Sequence, residues 1–144
     1  MRSLPVRLAS FILCLLLASP AASVPRQQLD TLTPAQAISR AAAAAPKPVR
    51  ALFQFRVASA AKSRVGYYLD SEKDFRSPAN LGVAIKASAM PGLTSKYGAD
   101  LKAALVGKTI KLIGQVQRVP VGKNRAATAT QVEVTHAGQI LSVS

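Results

Sequence analysis

Apolar and polar residues alternate along residues 49–57, and this alternation is the clearest structural signal in the chain. One set of alternate positions is apolar throughout: Val49, Ala51, Phe53, Phe55 and Val57. Three of the four intervening positions are polar: Arg50, Gln54 and Arg56. Successive side chains of a β-strand point to opposite faces, so this period of two predicts a strand with one buried and one exposed face.

Further strand-like and helical segments follow in a definite order. Strands are predicted at residues 65–70, with Val65, Tyr67 and Leu69 inward, and at 81–86, 108–119 and 126–135. Asp100 can cap a short helix over residues 101–106 that Gly107 ends. Thr33 and Pro34 begin an earlier helix over residues 34–45, stopped by Pro46 and Pro48.

Three strands, a short helix and two more strands form the outline of a small mainly β domain. The order predicts a five-stranded OB-type barrel with a short helix between strands three and four, preceded by an N-terminal helix. The terminal apolar residues Ile140, Leu141 and Val143 could close the barrel. This fold is used mainly for binding extended ligands.

The first 23 residues have the pattern of a secretory signal. Arg2 and Arg7 precede an apolar run over residues 8–18, which small residues follow up to Ser23. We therefore expect a signal peptide at 1–23, an Ala- and Pro-rich segment with a short helix at 24–48, and the binding domain at 49–144. A retained anchor is the alternative. Cys14, the one cysteine, lies within the signal, so the mature chain has no thiol chemistry or disulfide.

The charge is strongly positive and unevenly distributed. The chain has 19 Lys and Arg against 6 Asp and Glu, a formal net charge of +13. Neither residues 31–69 nor residues 101–132 contain an acid, although each stretch contains six cations. Such a balance predicts attraction to nucleic acid, anionic polysaccharide or an acidic envelope surface. Solubility of an exported protein is the plainer explanation of the same charge.

Catalytic and metal-binding patterns are missing from the sequence. His136 is the one histidine, and no nucleophile elbow accompanies the many hydroxyl groups. Asp70, Glu72 and Asp74 have the initial spacing of a calcium loop, but Phe75 stands where that loop needs glycine. Residues 107–109 read Gly-Lys-Thr without the preceding glycine of a phosphate loop. We predict no enzyme activity, no cofactor and no metal site.

Residues 32–143 resemble a largely uncharacterised group of exported bacterial OB-fold proteins that are similar to nucleic-acid-binding domains. The matching motifs are Leu-Thr-Pro-Ala at 32–35, Tyr-Leu-Asp-Ser-Glu-Lys-Asp-Phe at 68–75 with Pro78 and Asn80 after it, Gly-Lys-Thr-Ile at 107–110, Gly-Gln-Val at 114–116 and Gln-Ile at 139–140. The resemblance implies an OB barrel and carries over no catalytic residue. The segment 124–130 departs from the group's pattern.

Two connections supply the candidate binding residues. In an OB barrel the ligand lies on strands two and three, between the loops that join strands one to two and four to five. These loops correspond to residues 58–64 and 120–125, and we predict that their cations meet at one rim. The predicted ligand-binding residues are Lys62, Arg64, Lys123 and Arg125 in the loops, Tyr68 as an outward stacking surface, and Arg50, Arg56 and Lys111 as an extension.

The predicted function is therefore binding. We expect an exported, non-enzymatic module that holds a polyanion, above all single-stranded DNA or RNA, through mainly electrostatic and sequence-indifferent contacts. The remaining aromatic residues, including Phe75 and Tyr97, are expected to pack. An envelope adaptor that binds a protein or an anionic glycan is the alternative. Either function places the mature protein in the periplasm or outside the cell.

Overall fold

The computed structural model describes residues 20, 21, 23 and 28–144. The predicted signal peptide lies almost entirely outside the described residues. Eight strands of this described part form one sheet: β1 Thr31–Leu32, β2 Val49–Arg56, β3 Ser59–Ser63, β4 Gly66–Asp70, β5 Leu81–Lys86, β6 Thr109–Val121, β7 Ala127–Val134 and β8 Ile140–Val143. Three α-helices accompany them within residues 28–144: α1 Pro34–Ala44, α2 Met90–Tyr97 and α3 Leu101–Leu105. None of the helices among these residues is long and apolar enough to cross a membrane.

The sheet is a mixed, open one, and the predicted five-stranded closed barrel is wrong. Its hydrogen-bonded order is β1-β2-β6-β7-β5-β4-β3, with β8 paired to β6. The pairs β1·β2 and β5·β7 are parallel, whereas the others are antiparallel. Only Val57 and Ala58 separate β2 from β3, although these strands lie near opposite ends of the order. The sheet must therefore curve strongly.

The observed strands differ from the predicted ones at two connections, and one helix was not predicted. Residues 58–64, expected to be a connection, contain β3, because Ser59–Ser63 pairs with β4 in a short hairpin. The segment 120–124, expected to be a turn, begins with the end of β6, where Pro120 stands opposite Thr128. The sequence also did not predict α2, which begins at Met90 and Pro91 after a short 3-10 helix, Ala87–Ala89, at the end of β5.

The two expected helices form as their capping residues indicate. Thr33 Oγ1 accepts from Gln36 N at 3.3 Å, while Gln36 Oε1 accepts from Thr33 N at 3.0 Å, a reciprocal capping box. Asp100 Oδ1 accepts from Ala103 N at 3.1 Å and so begins α3. Helix α1 buries Ala37 and Ala41, so small side chains let it lie close to the sheet.

The core lies on the inner face of the curved sheet. Its largest fully buried side chains include Phe53, Leu69, Leu81, Leu93 and Leu112. The alternation in β2 is confirmed, since Ala51, Phe53 and Phe55 are buried while Arg50 and Arg56 are exposed. Val65 was expected inside but is 61% exposed, because it lies in the β3–β4 turn rather than in a strand.

Candidate functional site

The four loop cations lie in or beside two turns, the β3–β4 turn and the β6–β7 turn, which are at opposite ends of the strands. Lys62 stands in β3, and the register through β4 and β5 places it in the row of Val134, the last residue of β7. Lys123 and Arg125 precede the first residue of β7. The distance along β7 between these levels is about 23 Å, at ~3.3 Å a residue. The predicted meeting of these cations with Arg64 at one rim is therefore wrong.

Three other predicted cations project from the outer face of β2 and β6. Arg50 stands opposite Gln115, Arg56 opposite Thr109, and Lys111 opposite Gln54. Arg56 and Lys111 are thus diagonal neighbours on one face, a relation that puts Cβ atoms roughly 7–8 Å apart or closer. Both side chains can contact the same extended anion.

A basic cleft forms where β2 ends. Its volume is about 320 Å³, and Arg56, Lys73, Ser71 and Gly107 are among the residues that line it. A Cβ atom at Gly107 would lie 3.9 Å from an Arg56 guanidinium nitrogen, which shows how closely that side chain approaches the backbone. Lys73 was not predicted as a site residue because its acidic neighbours in sequence suggested a solvated loop.

A larger cleft lies on the outer face where β2, β6 and β7 meet. Its volume is about 400 Å³, within the range of ~300–1,000 Å³ that small-ligand sites occupy. Its lining includes Arg50, Gln115, Gln117, Glu133, His136 and Gln139. Only Arg50 was a predicted site residue. His136 was interpreted from the sequence as a lone histidine outside any catalytic pattern, and Glu133 was not predicted as a site residue.

The wall of this cleft is fixed by the side chain of Gln139. Its Oε1 accepts from Thr135 N at 2.8 Å, and its Nε2 donates to the carbonyl oxygens of Ile113 at 3.1 Å and Glu133 at 3.0 Å. Gly114 leaves room for Gln139 and Val132, because a Cβ atom there would lie 3.4 Å from Gln139 Nε2 and 2.7 Å from Val132 Cγ1. Gln139 therefore joins β6 to the end of β7 and holds the cleft in shape.

Other polar groups in the cleft have free hydrogen-bonding capacity. Within residues 28–144 the side-chain amides of Gln115 and Gln117 make no hydrogen bond. Glu133 Oε2 lies 3.7 Å from Lys86 Nζ, and both side chains are more than two-fifths exposed. Such an exposed pair is worth less than about 1 kcal/mol, so a ligand can replace it readily.

Tyr68 lies in the same row of the outer face as this cleft. It stands opposite Ala84, which stands opposite Glu133 on the next strand. The side chain is half-buried rather than freely exposed. The row from Tyr68 to Glu133 crosses three strands, about 10 Å at ~4.8 Å a strand. Tyr68 therefore lies beside the cleft, on the surface the sequence predicted for it.

The acidic β4–β5 loop is held together by Asn80. Its Nδ2 donates to Asp70 Oδ1 at 2.8 Å, and its Oδ1 accepts from Glu72 N at 3.1 Å. Burial raises the pKa of Asp70, and the hydrogen bond from Asn80 lowers it by a smaller amount. No group of three metal-ligating His, Cys, Asp or Glu side chains forms among the residues the structure describes.

Phe75, expected to pack, is 62% exposed in this loop. The Arg76 guanidinium carbon lies 5.2 Å from the centroid of its ring. A cation at this distance is attracted to the ring face. The exposed aromatic surface is therefore larger than the sequence indicated, although it lies among acids.

Ion pairs neutralise little of the positive charge. Residues 28–144 contain 16 of the 19 Lys and Arg residues, because Arg2, Arg7 and Arg26 lie outside them, and all 6 acids. Among the described residues, two pairs form: Arg40 with Asp30 at 2.9 Å, and Lys86 with Glu133. All seven predicted site cations are without a carboxylate partner in this part of the chain.

Comparison with known proteins assigns this chain to no family. No family model matches the chain, and no curated protein matches it. The crystal structure assigned to an aspartyl-tRNA synthetase from Leishmania major Friedlin is similar, with 12% identity and a TM-score of 0.45. The match covers 88% of this chain but 23% of that one. A likeness this weak carries no argument about function.

Proposed function

We propose that this protein is a binding module for a polyanion, above all single-stranded nucleic acid, held mainly by electrostatic attraction. The observation that carries the proposal is the set of seven cations without a carboxylate partner in the described chain. Cations that no protein carboxylate neutralises can release the counterions of a phosphate backbone, and this release drives association.

The arrangement of these cations favours an extended ligand over a compact one. Lys62 and Arg64 lie at one end of the sheet and Lys123 and Arg125 at the other, about 23 Å apart along β7 by the register at ~3.3 Å a residue. Arg56 and Lys111 project from the outer face of β2 and β6. A flexible strand with regularly spaced negative charges can reach several of these positions at once, whereas a single small anion cannot.

The proposal includes a role outside the cytoplasm and without catalysis. The basic start, apolar run and small residues of positions 1–23 support export. Fractionation of the native host, with mass measurement of the isolated protein, tests this. Export is refuted if the protein stays in the cytoplasm at its full mass.

Salt dependence of oligonucleotide binding tests the main proposal. For single strands the slope of log K against log[salt] is about −0.7 for each phosphate neutralised, so four contacts weaken binding about 50-fold between 50 and 200 mM salt. The variant Lys123→Gln/Arg125→Gln should reduce the slope by up to ~1.4.

A charge-matched control separates a site from the general field. Lys47 and Lys102 are exposed outside the proposed surface, and Lys47→Gln/Lys102→Gln removes the same two charges. This control should leave the slope nearly unchanged. Equal effects of the two double variants would contradict a defined surface. Failure to bind oligonucleotides at low salt, with retention of an anionic glycan, would replace nucleic acid by the glycan as ligand.

A further inference from the structure

We propose that the cleft between β2, β6 and β7 receives one base of the bound strand and prefers cytosine to thymine. This inference rests on the proposed function, but it concerns recognition of the base rather than attraction of the backbone. It also departs from the sequence-indifferent binding expected from charge alone. The cleft provides an acceptor and several donors, and no purely electrostatic surface needs this combination.

The acceptor is the carboxylate of Glu133. It lines the cleft, and among residues 28–144 the one cation within 4.0 Å of it is Lys86, whose Nζ lies 3.7 Å from Oε2. The backbone of Glu133 is fixed, since its carbonyl oxygen accepts from Gln139 Nε2 at 3.0 Å. An ionised carboxylate accepts hydrogen bonds and cannot donate them. It therefore favours a base with an amino group at the matching position.

The donors are the amides of Gln115 and Gln117 and the guanidinium of Arg50. All three side chains line the same cleft as Glu133. Arg50 stands opposite Gln115 in the register, so the two side chains project from neighbouring strands on one face. Amide groups both donate and accept, whereas the guanidinium only donates. Either can serve an acceptor on a base or a phosphate oxygen.

Cytosine matches this set and thymine does not. Cytosine presents the N4 amino donor, the group that carboxylate side chains accept from in base recognition. Thymine has the O4 carbonyl oxygen at that position. An oxygen facing the Glu133 carboxylate gains no hydrogen bond and repels the negative charge. The pair of pyrimidines thus differs mainly at the atom that Glu133 would meet.

The size and shape of the cleft are suited to this task. A volume of about 400 Å³ is enough for one base together with water. The wall is preorganised by Gln139, whose side chain makes five hydrogen bonds to backbone and hydroxyl groups of residues 113, 133, 135 and 136. A rigid site loses less entropy when it orders a ligand.

The test compares oligo-dC and oligo-dT of twelve nucleotides by fluorescence anisotropy, with the purified protein and the variant Glu133→Gln. A good bidentate contact to a base discriminates by roughly 5- to 150-fold, and a single contact from a half-exposed carboxylate should fall at the low end of this range, near fivefold. We expect tighter binding of oligo-dC, and loss of that preference in Glu133→Gln. The substitution should not disturb folding, because it leaves the backbone bond to Gln139 intact.

The variant Glu72→Gln is the matched control, since it removes an equal charge from an exposed acid outside the cleft. It should retain the preference for oligo-dC. Equal binding of the two oligonucleotides by the unmodified protein would overturn the inference and leave the proposed function standing. An equal change of preference in Glu133→Gln and Glu72→Gln would likewise overturn the inference and leave the proposed function standing. Absence of any oligonucleotide binding at low salt would instead refute the proposed function, and the inference with it.

Discussion

Asn80→Ala should be among the most damaging single polar substitutions in this protein. Asn80 is 8% exposed and links the end of β4 to the loop that precedes β5. Its Nδ2 donates to Asp70 Oδ1 at 2.8 Å and to the Phe75 carbonyl oxygen at 3.3 Å. Its Oδ1 accepts from Glu72 N at 3.1 Å and from Ser71 Oγ at 3.4 Å. Alanine can replace none of these bonds.

The magnitude follows from the two shorter bonds. Without Asn80, the buried Asp70 carboxylate loses its donor and the part-buried Glu72 N–H loses its acceptor. A buried polar group left without its partner costs about 1–3 kcal/mol, so we expect a loss of about 2–4 kcal/mol in the free energy of unfolding. Small domains are stable by only ~5–15 kcal/mol, so this loss is a large fraction of the total.

Urea unfolding followed by far-UV circular dichroism measures the effect, because the chain has no Trp for fluorescence. Gln54→Ala is the control, an amide that is exposed in β2. It should change the free energy of unfolding by less than about 0.5 kcal/mol. The loss in Asn80→Ala should shrink at acid pH, where Asp70 is neutral and needs the donated bond less. A loss equal to that of Gln54→Ala, or one independent of pH, would refute this account of the loop.

Three other predictions follow from the structure. Burial raises the pKa of Asp70, so the neutral form of its carboxyl group favours the folded state. This contribution to stability is fully present below the pKa that Asp70 has in the unfolded chain. It is lost as pH rises through the pKa that Asp70 has in the folded protein. The stability of Asp70→Asn relative to the unmodified protein should therefore increase from acid to neutral pH in urea titrations, and a constant difference would contradict the shift. In thermal unfolding, Gly66→Ala should be far more destabilising than Gly122→Ala, although both glycines have positive φ. A Cβ atom at Gly66 would lie 1.9 Å from a backbone oxygen of β5, whereas one at Gly122 would meet nothing within 4 Å. Similar melting temperatures would show that the clash is relieved. Tyr68→Leu should weaken oligonucleotide binding about fivefold without changing the salt slope, since stacking of one base contributes ~1–3 kcal/mol and is not electrostatic; an unchanged affinity would exclude Tyr68 from the interface.

Local sequence patterns predicted most of the strands and helices correctly. The alternation at residues 49–57 specifies β2, because a period of two places every apolar side chain on one face. Thr33 and Asp100 begin their helices through hydrogen bonds within three residues. These outcomes depend on neighbours in sequence, so the sequence is sufficient to predict them.

Pairing between distant strands could not be predicted in this way. The hydrogen-bonding capacity of Ser59–Ser63 is the same in a loop and in a strand, and only β4 beside it makes it β3. Closure of a barrel likewise depends on which strands meet and in what register, and the order found is that of an eight-stranded mixed sheet. The connections at residues 58–64 and 120–125 were expected to converge, yet the parallel pairing of β5 with β7 places the β3–β4 and β6–β7 turns at opposite ends of the strands.

The sequence by itself determined the charge of this protein, the segments that form β2 and β4 to β7, the starts of α1 and α3, and the outward direction of Arg50 and Arg56. Only the tertiary structure decided which polar groups share a site. Arg50, Gln115 and Glu133 are far apart in sequence, and β2, β6 and β7 bring them to one cleft. The physical reason is that side-chain direction is a property of one strand, whereas a binding site is a property of the register among several.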